Sequence, residues 1–287
     1  MIRNSMRDVI SVDIGGTKIR VGRVSPHFAI RRFIDIPTPK SERAALEAIT
    51  QTILELAGND GNPPAIGVAA PARVDRSRGE VGPCTHIPWE RKLRVKANLE
   101  KRFNCPVVLE HDATAGGITE AHLGNGKNVR YLLYITISTG VGSSLILDGA
   151  PLPGPYNPQA GQMALIPNPR PQFGSFEYLA SGRAIVREYG KIAAQISSQR
   201  TWEQITRPIA QGIYNTIVTT NPEKVVLGGG VSVHFKRFKK PLMKHLTTLA
   251  EAYEPSFPLP PITTAKYVET APLLGAAILA HRATTRH

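Results

Sequence analysis

The sequence predicts an α/β fold of two similar lobes flanking a central cleft, and three observations lead there. A strand, a glycine turn and a second strand occur twice, at residues 8–24 and 131–147. Around them, apolar runs of period 2 alternate with runs of period 3.6, the pattern of strands interleaved with helices. The chain has 287 residues, 41% hydrophobic and 20% charged, which gives the bulk for one large or two medium domains and the composition of a globular protein.

The elements follow in order. Asp8 to Val12 is β-rich, Gly15-Gly16 turns, and Ile19 to Val24 alternates. Ile30 to Ile36 reads as a third strand. Ser41 is a helix N-cap, with Ala45, Ile49, Ile53 and Leu56 on one face and Gly58 closing the helix. Ala65 to Ala69 is a short buried strand, and the Pro/Gly-rich stretch from Pro71 to Trp89 reads as loop. Val95 to Phe103 suits a helix, Val107 to Glu110 a strand and Ala113 to Leu123 a helix. The second cycle opens with a strand at Tyr131 to Ser138, a turn at Gly140 to Gly142, and a partner strand at Ser143 to Leu147. Pro151 to Pro171 carries seven prolines and reads as one long irregular segment. Helical patterns fill Arg183 to Gln195 and Glu203 to Thr220. Lys224 to Leu227 is a strand running into Gly228-Gly229-Gly230, and a last helix spans Leu273 to His281. These elements divide the chain into a first lobe at 1–114 and a second at 115–272, with the helix in 273–287 packing back on the first.

Several function classes drop out. No run of eighteen apolar residues is present, so no membrane span is expected. Met1 to Asp8 has no apolar core for a signal peptide. Cys84 and Cys105, the two cysteines, cannot make a disulfide framework or a four-cysteine zinc site, and the expected compartment is the reducing cytoplasm. Net charge is +13. Nine cations between Arg73 and Arg102 stand against four acids, and Lys236, Arg237, Lys239, Lys240 and Lys244 form a second patch. Such charge suits nucleic acid, an anionic substrate such as ATP, or a solvated face.

Four motifs carry chemistry. In Asp13-Ile14-Gly15-Gly16-Thr17-Lys18 the glycines let the backbone approach a phosphate, Thr17 adds a hydroxyl, Lys18 adds charge, and Asp13 can orient a hydrated Mg²⁺. Taken alone, this is equally an ordinary hairpin turn. Ser138-Thr139-Gly140-Val141-Gly142-Ser143 repeats the hydroxyl-plus-glycine pattern between two strands, and two such loops suggest a clamp on a polyphosphate. Neither is a Walker loop. Gly228-Gly229-Gly230 at a strand end lets a flat ring such as adenine lie on backbone, or is a flexible turn. Glu110-His111-Asp112-Ala113-Thr114 joins a strand to a helix, and a carboxylate there either caps the helix or serves as the base in phosphoryl transfer.

Together the four resemble the ROK (repressor/open-reading-frame/kinase) family of sugar kinases, of the actin-like ATPase (ribonuclease H-like) fold, over Val9 to about His281. Asp13 to Lys18 matches the family's D-x-G-G-T-K. The family's E-N-D-A-N appears as Glu110 to Thr114, which makes Asp112 the catalytic base. Its G-T-G-x-G appears with Ser138 in place of the first glycine, and its G-G-G-V-S adenosine segment is Gly228 to Ser232. Leu179-Ala180-Ser181-Gly182 and Leu274-Gly275-Ala276-Ala277 also match. The resemblance implies ATP and phosphate binding by Asp13, Gly15, Gly16, Thr17, Lys18, Ser138, Thr139, Gly140, Gly142, Gly228, Gly229 and Gly230, with Mg²⁺ carried by ATP near Asp13. It implies sugar binding by Ala72, Arg73, His86, His111, Asp112, Gln162 and Glu177, and a homodimer as the common assembly.

Departures cluster on the sugar side. The family's P-G becomes Pro71-Ala72, its N-x-P-W becomes His86-Ile87-Pro88-Trp89, and the Asn before the catalytic Asp is His111. Its G-E-x-G-H becomes Gly161 to Leu165, and the zinc-binding cysteine cluster is replaced by Asn168 to Ser175. Structural zinc is therefore not expected. The implied activity is ATP-dependent phosphorylation of a hexose-type hydroxyl. A sugar-responsive regulator and an inactive sensor are the alternatives. Regulators of this family carry a helix-turn-helix ahead of the first loop, where this chain has twelve residues before Asp13, so a nucleic-acid partner is not expected.

Overall fold

The computed structural model describes residues 7–58, 61–71, 73–84, 87–154 and 157–285. The predicted positions Ala72 and His86 lie outside them. Two compact units are present: the described residues of Met1–Thr119, Pro153–Asn157 and Thr270–His287, and those of Glu120–Leu152 and Pro158–Glu269.

The first unit is built on a five-stranded sheet of order β3-β2-β1-β4-β7: β1 (Val9–Ile14), β2 (Lys18–Val24), β3 (Ile30–Pro37), β4 (Ile66–Ala70) and β7 (Val107–His111). β1 to β3 are antiparallel neighbours, while β4 and β7 run parallel to β1. On β1, Ile10, Val12 and Ile14 join one core with Ile49 and Ile53 of α1 (Glu42–Ala57) and Leu99 and Phe103 of α2 (Val95–Phe103). The ends of α1 are those the sequence specifies. Ser41 Oγ accepts from Ala44 N, and Gly58 closes the helix at φ 54°, donating its N–H to the Leu54 carbonyl. The stretch read as loop from Pro71 to Trp89 contains a two-stranded hairpin, β5 (Val74–Asp75) with β6 (Glu80–Val81), turned at Gly79 with φ 65°.

Small residues line the other face of this sheet. Ala69 of β4, Ala115 of α3 (Asp112–Leu123) and Ala276 of α8 (Ala271–Thr284) form a separate cluster. A Cβ on Gly67 would lie 1.9 Å from the Ala276 carbonyl oxygen, and one on Gly275 1.9 Å from that of Ala115. Helix and sheet backbones therefore approach as closely as glycine alone permits.

The second unit repeats the plan with order β10-β9-β8-β11-β12: β8 (Tyr131–Ile137), β9 (Val141–Leu147), β10 (Ala150–Pro151), β11 (Lys224–Gly228) and β12 (Ile262–Thr264). Again an antiparallel set is followed by two strands parallel to the first. Its core joins Leu133, Ile135 and Ile137 to Trp202, Ile209 and Ile213 of α6 (Gln199–Thr220) and to Phe238, Leu242 and Leu246 of α7 (Phe235–Tyr253).

Several elements differ from the sequence reading. The helix expected over Arg183 to Gln195 stops early: α5 (Gly182–Tyr189) ends where Gly190 turns left-handed at φ 64°, and a 3₁₀ turn at Ala193–Gln195 follows. α6 begins at Gln199 rather than Glu203, because the Ser198 side chain accepts from Thr201 N. A short helix, α4 (Phe176–Ala180), precedes α5. The run of cations from Lys236 to Lys244 lies on α7, a helix that continues through Pro241 and turns Phe235, Phe238, Leu242 and Leu246 inward.

Glu120 on α3 is fully buried, yet satisfied. Its carboxylate accepts from Asn125 N (2.9 Å), Lys266 N (3.1 Å) and Tyr267 N (2.8 Å), tying the segment after β12 to α3 within the second unit. Glu120→Ala leaves three backbone donors without their acceptor and is expected to destabilise by about 3 kcal/mol. Urea unfolding followed by circular dichroism checks this; an unchanged midpoint would contradict it.

Candidate active site

In the first unit the turn between β1 and β2 places Gly15, Gly16 and Thr17 at the strand ends. Gly15 N donates to the Lys18 carbonyl (2.9 Å), and Thr38 Oγ1 donates to the Gly15 carbonyl (2.6 Å). A Cβ on Gly15 would meet the Lys18 carbonyl oxygen at 2.7 Å, so the tight turn requires glycine there. Gly16, Thr17 and Lys18 are exposed.

Lys18 pairs with Asp35 of β3 at 3.2 Å, and Arg20 grips the same carboxylate at 2.7 and 2.9 Å. Arg20 was not foreseen. It stands two residues along β2 from Lys18, on the same strand face, with its guanidinium 4.5 Å from the centre of the Phe33 ring. The hydrogen bond from Arg20, opposed by burial and helped by Lys18, holds the Asp35 carboxyl at about 2. Asp35 therefore stabilises the fold fully above its unfolded value near 3.8, and the contribution is lost as pH falls through about 2. The side chain is one-third exposed, so after solvent screening about 1 kcal/mol is expected. Urea midpoints of Asp35→Asn against the parent should differ at pH 7 and converge at pH 2.

Asp13, near the end of β1, is paired through its backbone with β2 and β4 and is half-buried, while its carboxylate stands outside the side-chain hydrogen bonds and ion pairs of the described residues. Burial first, and then the nearby Asp112 carboxylate, push its pKa up to about 7 against the opposing pull of Arg20 and Lys18. Two carboxylates that repel one another in a desolvated position are a donor set short of positive charge. That fits a hydrated divalent cation.

Asp112 opens α3, at the positive end of the helix dipole. Its Oδ1 accepts from Ala113 N at 2.6 Å and lies 3.3 Å from His111 Nδ1. The rest of the carboxylate is open, with 35% of the side chain exposed. His111 ends β7 and is buried, and its Nδ1 makes no hydrogen bond. Preceding it, Glu110 is buried and pairs in fork geometry with Arg76, Nε to Oε2 and Nη2 to Oε1, both at 2.8 Å. No sequence pattern announced this pair, whose members stand 34 residues apart. Arg73 is exposed, beside β5.

In the second unit Ser138, Thr139 and Gly140 form the turn between β8 and β9, with Gly142 of β9 paired to Thr136 of β8. The turn is held from α4 and α5. Gly182 N donates to the Ser138 carbonyl (2.6 Å), Arg183 Nε to the Thr139 carbonyl (3.0 Å), and Val141 N to Glu177 Oε2 (3.0 Å). Gly228 to Gly230 meet this turn through Ile137, whose carbonyl accepts from Val231 N at 3.0 Å. The three glycines have different reasons. A Cβ on Gly228 would strike the Tyr134 hydroxyl at 2.1 Å, Gly229 has φ 82° and would strike the Ile137 carbonyl at 2.4 Å, while Gly230 faces open space.

Gln162 is exposed at the end of a 3₁₀ turn and contacts Gln159 at 3.3 Å. Leu165 is buried in the unit's apolar core. The segment that follows is closed by backbone pairing, Ala164 with Ser175 and Leu165 N to the Gly174 carbonyl at 2.8 Å. Phe173 packs on Tyr178, with Arg187 3.7 Å above the Tyr178 ring. Leu165 has no donor atom for a metal, and among the described residues no group of three or more His, Cys, Asp or Glu stands together. No described helix is long and apolar enough to cross a membrane.

A profile of the ROK family matches residues 9–283. The chain is 34% identical to a glucokinase of Streptomyces coelicolor over 197 residues, which cover 67% of this chain and 61% of that protein. It is 31% identical to a putative fructokinase of Bacillus subtilis over 237 residues, covering 77% of this chain and 76% of the relative. Among solved structures, a ROK family glucokinase from Streptomyces griseus in complex with glucose and AMPPNP superposes with a TM-score of 0.82 at 26% identity, over 96% of this chain and 99% of that one.

Proposed function

The chain belongs to the ROK family and has its actin-like ATPase fold, and from that premise we propose that it is an ATP-dependent sugar kinase with Asp112 as general base. One observation carries the reading. Within the first unit, an open carboxylate at the head of α3 stands close enough to Asp13, beside the glycine turn, to raise that group's pKa.

The sugar hydroxyl gives its proton to Asp112 as its oxygen bonds to the γ-phosphorus. The bond from that phosphorus to the bridging oxygen breaks, and ADP leaves. Mg²⁺ bound with ATP supplies neutralisation of phosphate charge. Asp13 would be the residue to hold it. Backbone N–H groups of Gly15 and Gly16, the Thr17 hydroxyl and Lys18 are suited to phosphate oxygens. Ser138, Thr139, Gly140, Gly142 and Gly228 to Gly230 are assigned to the nucleotide, Gly230 having the room for a flat ring. Ala72, Arg73, His86, His111, Gln162 and Glu177 are assigned to the sugar, where His111 Nδ1, 3.3 Å from Asp112 Oδ1 but making no hydrogen bond, suits a substrate hydroxyl. The Streptomyces griseus relative holds glucose. The replacement of Asn by His and of Glu by Gln alters the hydrogen-bond set, so the acceptor is a hexose-type sugar without commitment to glucose. We place the enzyme in the cytoplasm, as a homodimer.

The test is ADP release with Mg-ATP across glucose, mannose, fructose, allose, N-acetylglucosamine and N-acetylmannosamine, with Asp112→Asn as control. Turnover with at least one sugar, lost in the control, is expected. ATP binding without turnover on any of them would sink the assignment.

A further inference from the structure

Among the described residues, Arg76 is the cation paired with Glu110, the buried acid of the strand that ends at His111, just before Asp112. Glu110 Oε1 accepts two hydrogen bonds, from Arg76 Nη2 at 2.8 Å and from the backbone N–H of His111 at 2.7 Å. The carboxylate that fixes the His111 backbone is thus itself fixed by the guanidinium. The Glu110 side chain is 5% exposed, so an orientation lost there is not restored by water. Arg76 also reaches a third segment, donating from Nη1 to the Gly154 carbonyl at 3.1 Å. Gly154 belongs to the short run Pro153–Asn157, which joins the first unit between two stretches of the other. One side chain therefore ties the β5–β6 hairpin region, the end of β7 and this returning run together.

We propose that Arg76 is a positioning residue for phosphoryl transfer. Acting through Glu110, it sets where the β7–α3 junction carries His111 and Asp112, and it cancels a buried negative charge two residues from the base. The inference rests on the kinase reading. Without the guanidinium, the Glu110 carboxylate loses the two donors that hold it in plane, and its hydrogen bond to His111 N weakens. The fork matters as well as the charge, since lysine donates from a single point and cannot hold both carboxylate oxygens in plane.

The experiment is steady-state kinetics of the full chain with its best sugar and Mg-ATP, for Arg76→Met, Arg76→Lys, Glu110→Gln and the double variant Arg76→Met/Glu110→Gln. A displaced base lowers turnover by on the order of 10²-fold, so Arg76→Met should lose about that much in kcat while KM for ATP moves less than about threefold. Arg76→Lys, which keeps the charge and guards against a variant that fails to fold, should lose about tenfold in kcat. The double variant should be no slower than the slower single, because both act through one pair. Folded Arg76→Met and Arg76→Lys with kcat within twofold of the parent, or additive losses in the double variant, would overturn the proposal alone. A parent protein with no turnover on any sugar would overturn the kinase reading, and this inference with it.

Discussion

Asp112→Asn is expected to lower kcat by about 10³-fold or more while leaving ATP affinity within about threefold. The change is nearly isosteric. An asparagine Oδ1 still accepts from Ala113 N, so the opening turn of α3 keeps its geometry. What disappears is the capacity to take a proton from the attacking hydroxyl. The amide also removes the negative charge that repels Asp13, the carboxylate assigned to the hydrated cation, and leaves that carboxylate itself in place. Turnover measured alongside calorimetric ATP titration separates the two effects. Retained turnover would move the base elsewhere; lost ATP binding would mean that Asp112 serves the nucleotide instead.

The second large effect concerns stability, and there the sign is the diagnostic. On helix propensity alone, Gly275→Ala should stabilise α8 by about 1 kcal/mol. Its Cβ would instead stand 1.9 Å from the Ala115 carbonyl oxygen, a backbone atom that moves only if α3 moves. Gly67→Ala meets the Ala276 carbonyl at the same distance, from the sheet side. Each is expected to destabilise by about 3 kcal/mol or more, since the overlap is relieved only by separating packed elements. Thermal unfolding of both variants, with Gly190→Ala as a control where a Cβ meets nothing within 4 Å, reads this directly. The control carries only the strain of its left-handed backbone. A gain in Tm for Gly275→Ala would refute the close-packing argument.

Where structure was set by neighbours in sequence, it could be read in advance. α1 was legible because Ser41, the apolar period through Leu56 and Gly58 all lie within one helix length. The glycine turns at Gly15 and Gly140 were legible for the same reason. α7 was hidden because Lys236 to Lys240 and Pro241 obscure an apolar face that shows only when Phe235, Phe238, Leu242 and Leu246 are placed around a helix. Side-chain partnerships across the sheet left no local trace. The grip of Arg20 on Asp35 and the fork of Arg76 on Glu110 depend on strand register and on a hairpin that closes far from its partner. The glycine run at 228–230 was legible as a motif, but its division of labour was not. That division depends on Tyr134 and Ile137, roughly ninety residues earlier in the chain.

The close seat of α8 also bears on synthesis. Its glycine and alanines complete the sheet of the first unit from a position on the order of two hundred residues downstream of Gly67. During translation the N-terminal strands therefore emerge long before the helix that covers one of their faces. All residues of the unit made of Glu120–Leu152 and Pro158–Glu269 have emerged before that helix. The order of completion on the ribosome is then the reverse of the order of residues, and the early strands are the stretch of nascent chain with most to gain from a chaperone.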